Sequence, residues 1–117
     1  MTEASRTTRL PDLDPGRAAE LLEQGGALLL DVREPHEWAA GHAPQAVHVP
    51  LARLTPEAVP QDRPVIAVCR SGNRSGKAAD ALAAAGVRVH NLAGGMKAWT
   101  RTGLPVVTDD GEPGTVA

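Results

Sequence analysis

Two short apolar runs, Ala27-Leu28-Leu29-Leu30 and Val65-Ile66-Ala67-Val68, limit what this chain can fold into more than any other feature. Neither run alternates with polar residues, so each reads as a strand buried on both faces. A sheet of such strands must be covered by helices front and back, and the stretches between the runs supply them. Asp14 can cap a helix with Pro15 at its first position. Ala18, Leu21 and Leu22 share its inner face, and Gly25-Gly26 stops it. Residues 35–40 predict a short helix closed by Gly41 with Trp38 on its inner side, residues 77–85 an alanine-rich helix stopped by Gly86, and residues 96–102 a last helix. Short strands are expected at 46–49 and 87–90 and an edge strand around Leu10, while Pro56 and Pro60 restrict 51–61 to a brief helical turn. This rhythm is that of an α/β domain with a mainly parallel sheet.

With 117 residues the chain fits one domain, expected over 10–106, with flexible termini at 1–9 and 107–117. A fold of this size buries roughly 65% of the surface its unfolded chain exposes, enough for a core without disulfides or a structural metal. The core material is aliphatic: there is no Phe or Tyr, and Trp38 and Trp99 are the only large rings. The net charge of -2 comes from interspersed acids and bases, which excludes a nucleic-acid footprint or a polybasic membrane arm. No apolar run approaches the ~20 residues of a membrane span, and no apolar region follows the charged first residues, so a cytoplasmic protein is expected. A single cysteine can form neither an internal disulfide nor a cysteine-rich metal centre; no metal and no cofactor are expected, and Cys69 must act as a thiol or thiolate.

Cys69 stands at the carboxyl end of the second apolar run, where the ligands of open α/β sheets gather. The residues that follow, Arg70, Ser71, Gly72, Asn73, Arg74 and Ser75, open a helix. Gly72 permits a tight turn and the small polar residues tolerate loop dihedrals, so the N–H groups from about Arg70 to Ser75 turn inward and form a nest for an anion at a helix N-terminus. A cysteine so placed has its pKa lowered from about 8.5 toward the range of roughly 3.5 to 7.5. Arg70 and Arg74 add positive charge at the rim or inside, suited to steering a divalent oxyanion, and on this reading Arg74 is a surface arginine that the fold can lose cheaply. Two other readings stay open from the residues alone: an inert buried cysteine followed by a solvated turn, and a glycine-rich phosphate loop, although no G-x-x-x-x-G-K-[ST] match is present.

From Leu10 to Val106 the sequence resembles the rhodanese-like single-domain sulfurtransferases. Three segments carry the likeness: Asp31-Val32-Arg33-Glu34 with Glu37-Trp38 and Gly41-His42, then Cys69 through Ser75, then Leu92-Ala93-Gly94-Gly95-Met96-Lys97-Ala98-Trp99. The resemblance implies a central, mainly parallel sheet of about five strands with helices on both sides. It implies that Cys69 carries sulfur as a persulfide and that the loop through Ser75 cradles it. It implies a ping-pong reaction in which thiosulfate or a similar donor loads Cys69 and cyanide, glutathione or a thioredoxin unloads it. Phosphatase relatives of the cell-cycle dual-specificity type carry a loop one residue longer, with arginine six positions after the cysteine; here Arg74 is five positions on. That spacing, by the resemblance, fits sulfur rather than phosphate or arsenate. A binding module that keeps the fold without turnover, and a relay that hands sulfur to a dedicated acceptor, are the alternative expectations.

Asp31 and Arg33 belong to the same sheet edge as Cys69, which puts Arg33 where it could influence the pocket, although it is expected rather to bond Asp31 or loop carbonyls and tie the crevice walls together. His42 is expected to hydrogen-bond the loop after the short helix rather than act as a base. Trp99 reads as a core ring, and Gly94-Gly95 as a point where the chain approaches the active loop closely.

Overall fold

The structure, a computed structural model, describes residues 8–117, so most of the expected lead-in at 1–9 lies outside the described residues. Four strands, β1 (Leu28–Asp31), β2 (Val47–His48), β3 (Val65–Val68) and β4 (Val89–Asn91), form one parallel sheet in the order β2-β1-β3-β4. Leu28 to Asp31 of β1 pair with Val65 to Val68 of β3, and Val65 to Ala67 of β3 with Val89 to Asn91 of β4. The two apolar runs are thus the two central strands, as burial on both faces requires.

The sheet has four strands rather than the five expected. The missing member is the segment around Leu10, which follows the outer edge of β4 but makes only isolated parallel bridges, Arg9 to Val89 and Leu13 to Leu92. The Leu10 N–H donates to the Val89 carbonyl (2.9 Å) and the Leu13 N–H to that of Asn91 (3.0 Å). Between the bridges this segment holds one residue more than β4. It also contains Pro11, which has no N–H to give, so the ladder is interrupted.

Helices cover both faces. On one side α1 (Pro15–Glu23) and α4 (Gly95–Arg101) pack Ala18, Met96 and Trp99 against Leu29, Ile66 and Val68. On the other, α3 (Asn73–Ala84) packs Ala78, Ala79, Leu82 and Ala83 against Leu30, Val65 and Ala67. Successive strand residues go to opposite faces, which is why small aliphatics suffice to fill two thin layers. Asp14 caps α1 as expected, its Oδ1 accepting from the Arg17 N–H at 2.8 Å. The segment after β2 contains two short 3-10 turns, Leu51–Arg53 and Pro56–Ala58.

Two expectations change. In α2 (Pro35–Ala40) the inner residue is Glu37, not Trp38. Trp38 is half-buried and stacks on the rings of His42 (3.5 Å between centroids) and His48 (4.7 Å). The tail read as flexible folds back: the Val107 and His42 N–H groups donate to each other's carbonyl at 2.9 Å, and the Thr115 N–H donates to the Ala40 carbonyl at 2.9 Å. Gly41 makes this return possible, because a Cβ there would lie 2.5 Å from the Thr115 carbonyl oxygen. No helix among the described residues is long and apolar enough to cross a membrane.

Candidate active site

Strand β3 delivers Cys69 to the carboxyl edge of the sheet, and the chain enters α3 almost at once. The helix begins at Asn73, earlier than the run of alanines suggests, because Gly72 takes a left-handed conformation (φ 108°) that turns the chain directly from strand exit to helix entry. Asn73, Arg74 and Ser75, which read as loop residues, therefore form the first turn of α3, and the helix N-terminus lies beside the sulfur.

The loop is held from beneath by α4. The Met96 N–H donates to the Cys69 carbonyl (2.8 Å) and the Lys97 N–H to the Arg70 carbonyl (3.0 Å). In a trans peptide the C=O and the next N–H point opposite ways, so turning these two carbonyls toward α4 turns the N–H groups of Arg70 and Ser71 away from it. Gly95 permits the approach: a Cβ on it would lie 2.5 Å from the Cys69 carbonyl oxygen and 2.6 Å from that of Arg70. The expected close contact of Gly94-Gly95 with the active loop is thus a support under the nest.

Cys69 is 1% exposed. Its Sγ accepts from the Gly72 N–H at 3.1 Å and lies 3.3 Å from the Ser75 hydroxyl. Burial pushes the thiol pKa up, but the Ser75 hydroxyl and the N–H groups of Ser75, Gly72 and Ser71 outweigh that penalty and leave it below its ordinary value. The arrangement favours a thiolate and presents preset donors to an anion attached to it.

The remaining loop residues divide. Asn73 and Ser71 are exposed at the rim. Arg70 is also exposed, and its Nε donates to the Ala117 carbonyl oxygen at 2.9 Å. Arg74 does not stand free for an oxyanion. Its Nη1 and Nη2 donate to the two carboxylate oxygens of Glu37, both at 2.8 Å, and the carboxylate also accepts from the Glu34 N–H at 2.9 Å. The Arg74 guanidinium beside Glu37 pushes that carboxyl down to about 2, despite its burial. Arg74 still contributes positive charge near Cys69, a coupling felt in its own raised pKa, where the Glu37 hydrogen bond is the largest cause.

Asp31 and Arg33 are both fully buried at the end of β1. Arg33 Nε donates to Asp31 Oδ1 (2.9 Å), Nη2 to Oδ2 (2.8 Å), and Nη2 also to the Gly41 carbonyl (2.8 Å). These bonds join the end of β1 to the residue that closes α2. His42 Nδ1 lies 2.9 Å from the Trp38 carbonyl, so its ring serves the end of α2. Trp99 is fully buried, and its Nε1 donates to the Pro105 carbonyl at 2.9 Å.

Two residues of the site were missed as site residues in the sequence. Glu37 stands among the residues that carry the resemblance but has no site role in the sequence reading; its i+3 relation to Glu34 is the signal for an inward role. Asn91, at the end of β4, accepts from the Ser75 hydroxyl at 2.6 Å and donates from Nδ2 to the Gly72 carbonyl at 3.2 Å. Its signal was positional: a polar residue closing a buried strand at the same sheet edge as Cys69.

The rhodanese-like domain family matches residues 14–102. A sulfurtransferase of Allochromatium vinosum is 43% identical over 94 residues, covering 78% of this chain and 88% of that protein. The thiosulfate sulfurtransferase GlpE of Actinobacillus pleuropneumoniae serotype 7 is 37% identical over 101 residues, covering 83% and 93%. An uncharacterized protein of Synechocystis is 38% identical over 113 residues, and this chain spans only 63% of its length. Among solved structures, a rhodanese-related protein from Thermoplasma volcanium superposes with a TM-score of 0.78 at 26% identity, covering 86% of this chain and all of that one.

Proposed function

This chain belongs to the rhodanese-like domain family, and we propose that it is a sulfurtransferase that carries sulfane sulfur on Cys69, taking it from thiosulfate and passing it to a thiophilic acceptor. The observation that carries this reading is the Cys69 sulfur itself, buried and facing the Gly72 N–H at 3.1 Å, at the foot of a loop whose carbonyls at Cys69 and Arg70 are turned away. Such a pocket stabilises one negative charge on sulfur before and after transfer. The likeness to the Allochromatium sulfurtransferase and the Actinobacillus thiosulfate sulfurtransferase supports the sulfur chemistry.

In the first half-reaction the Cys69 thiolate attacks the outer sulfur of thiosulfate. The Cys69 S–S bond forms, the S–S bond of thiosulfate breaks, and sulfite leaves with the electron pair. The negative charge then rests on the terminal persulfide sulfur, within reach of the N–H groups of the α3 first turn. In the second half-reaction an acceptor such as cyanide attacks that terminal sulfur, leaves as thiocyanate, and returns the electron pair to Cys69. Neither step requires a base, because the nucleophile is held as an anion. Five positions separate Cys69 from Arg74, and by the family resemblance this spacing, one short of that in the phosphatase relatives, supports sulfur over phosphate as cargo. A cytoplasmic setting fits the same chemistry, since a working lone thiolate needs a reducing compartment.

Intact-mass measurement after thiosulfate treatment tests the reading. The wild-type chain should gain one sulfur atom, about 32 Da by atomic mass, lose it on cyanide treatment, and the Cys69→Ser chain should gain none. Loading without release to cyanide would redirect the assignment to a relay with a dedicated acceptor. Hydrolysis of an aryl phosphate with no sulfur uptake would overturn it.

A further inference from the structure

We propose that Asn91 is a positioning residue that sets the direction of the single Ser75 hydroxyl proton and, through it, the balance between thiol and thiolate at Cys69. The inference rests on the reading of Cys69 as the sulfur carrier and deepens it.

The Ser75 oxygen faces two acceptors: Asn91 Oδ1 at 2.6 Å and Cys69 Sγ at 3.3 Å. It owns one proton. The orientation of the Asn91 amide is fixed from its other end, because Nδ2 faces the Gly72 carbonyl at 3.2 Å and the flipped amide would set oxygen against oxygen. Oδ1 therefore faces Ser75 and can only accept. Two oxygens 2.6 Å apart attract only with a proton between them, so the Ser75 proton points to Asn91 and an oxygen lone pair points to Cys69.

That arrangement serves the thiol, whose S–H can donate to Ser75 Oγ in a chain that ends on Asn91. A thiolate has no proton to give, and Ser75 can donate to it only by leaving the side-chain oxygen of Asn91, a buried residue, without this partner. Asn91 thus competes with the thiolate for this donor and weakens, without abolishing, the lowering that the Ser75 hydroxyl gives Cys69. Once sulfur is loaded, the charge moves to the terminal atom, Cys69 Sγ becomes a neutral link, and the Ser75 proton can rest on Asn91 without conflict. The device favours the loaded state over the bare thiolate. It also keeps the nest from making Cys69 too weak a nucleophile, since thiols attack best when their pKa is near the ambient pH.

The charged groups around Cys69 are Arg74 of α3 with its partner Glu37 of α2, Arg70 on the loop, and the closed Asp31–Arg33 pair at the end of β1. From α4, Lys97 bonds the loop through its backbone and is exposed. All of them are unchanged when Asn91 is replaced, so they form a constant background.

The test is a titration of Cys69 by its ultraviolet thiolate absorbance, which is clean here because the chain has one Cys and no Tyr. Asn91→Ala should lower the Cys69 pKa by about one unit, a roughly tenfold rise in thiolate fraction below the pKa. In a Ser75→Ala background the same change should have no effect. A merely structural role would loosen the nest, raise the pKa, and do so in both backgrounds; either result overturns the proposal. Asn91→Leu keeps the bulk and serves if the alanine variant fails to fold. In the unaltered protein, the Asn91 side-chain amide resonances should follow the Cys69 titration, and resonances that ignore it count equally against the proposal. The titration reads the thiol and not sulfur transfer, so failure to load sulfur from thiosulfate would defeat the functional reading while leaving this coupling intact.

Discussion

Arg74 grips Glu37 at two points, 2.8 Å each, across the gap between α3 and α2, with the Glu37 side chain 8% exposed and the Arg74 side chain 37%. The arginine five residues after the nucleophile is therefore a clamp between two walls of the site before it is anything to a substrate. Removing it strands a buried carboxylate.

Arg74→Ala should cost about 2–3 kcal/mol in urea unfolding, somewhat below the range for fully buried pairs because the guanidinium is partly wet. Arg74→Lys should recover part of it, keeping the charge but losing the two-point geometry. A loss under ~0.5 kcal/mol would place the pair among ordinary surface contacts.

Acid should weaken the fold through the same pair. Glu37 is held at about 2 in the folded chain, below its usual 4.5, so the unfolded chain takes up the proton first. The stability it contributes is complete above the usual value and drains away as pH falls toward 2. Glu37→Gln should flatten the urea midpoint between about pH 5 and about pH 3 relative to wild type. Parallel profiles for the two proteins would refute this.

Gly95→Ala drives a methyl into the Cys69 and Arg70 carbonyls at a left-handed position (φ 62°). Sulfur loading should slow by about 10- to 100-fold as the loop shifts. Gly103→Ala is the comparison, with a similar φ of 86° but open space around the added carbon. It should cost some stability and leave loading unaltered. Equal effects on loading from the two substitutions would show that strain, not the clash beneath the loop, is responsible.

Asp31→Ala leaves the fully buried Arg33 without its counter-charge. A loss of about 3–5 kcal/mol is expected, enough to unfold a chain this small or bring its melting transition near the working temperature. An unchanged transition would mean that the Gly41 carbonyl alone satisfies the guanidinium.

The central strands, the helix starts at Pro15 and Pro35, and the placing of Cys69 were legible because each rests on local chemistry: an apolar run, a cap, a fixed proline φ. What escaped the sequence depends on partners far along the chain. Glu37 and Arg74 are 37 residues apart, Ser75 and Asn91 16. The early start of α3 was hidden because Asn73, Arg74 and Ser75 look like loop residues until Gly72 is known to be left-handed. The fifth strand was over-read, since a proline and one extra residue interrupt a segment that otherwise follows β4. The return of the tail was not legible because Gly, Pro and acids predict looseness, while the packing of Gly41 against Thr115 and of Val116 against the core is visible only in three dimensions.

The return of the tail has a practical side. With the Ala117 oxygen 2.9 Å from Arg70 Nε, an affinity handle or fluorescent fusion joined after Ala117 would begin against the arginine that follows the nucleophile and crowd that part of the rim. The Thr8 carbonyl, by contrast, accepts from the first residue of β4, at the end of that strand away from the edge that holds Cys69. Assays of sulfur transfer should carry their handles on that side.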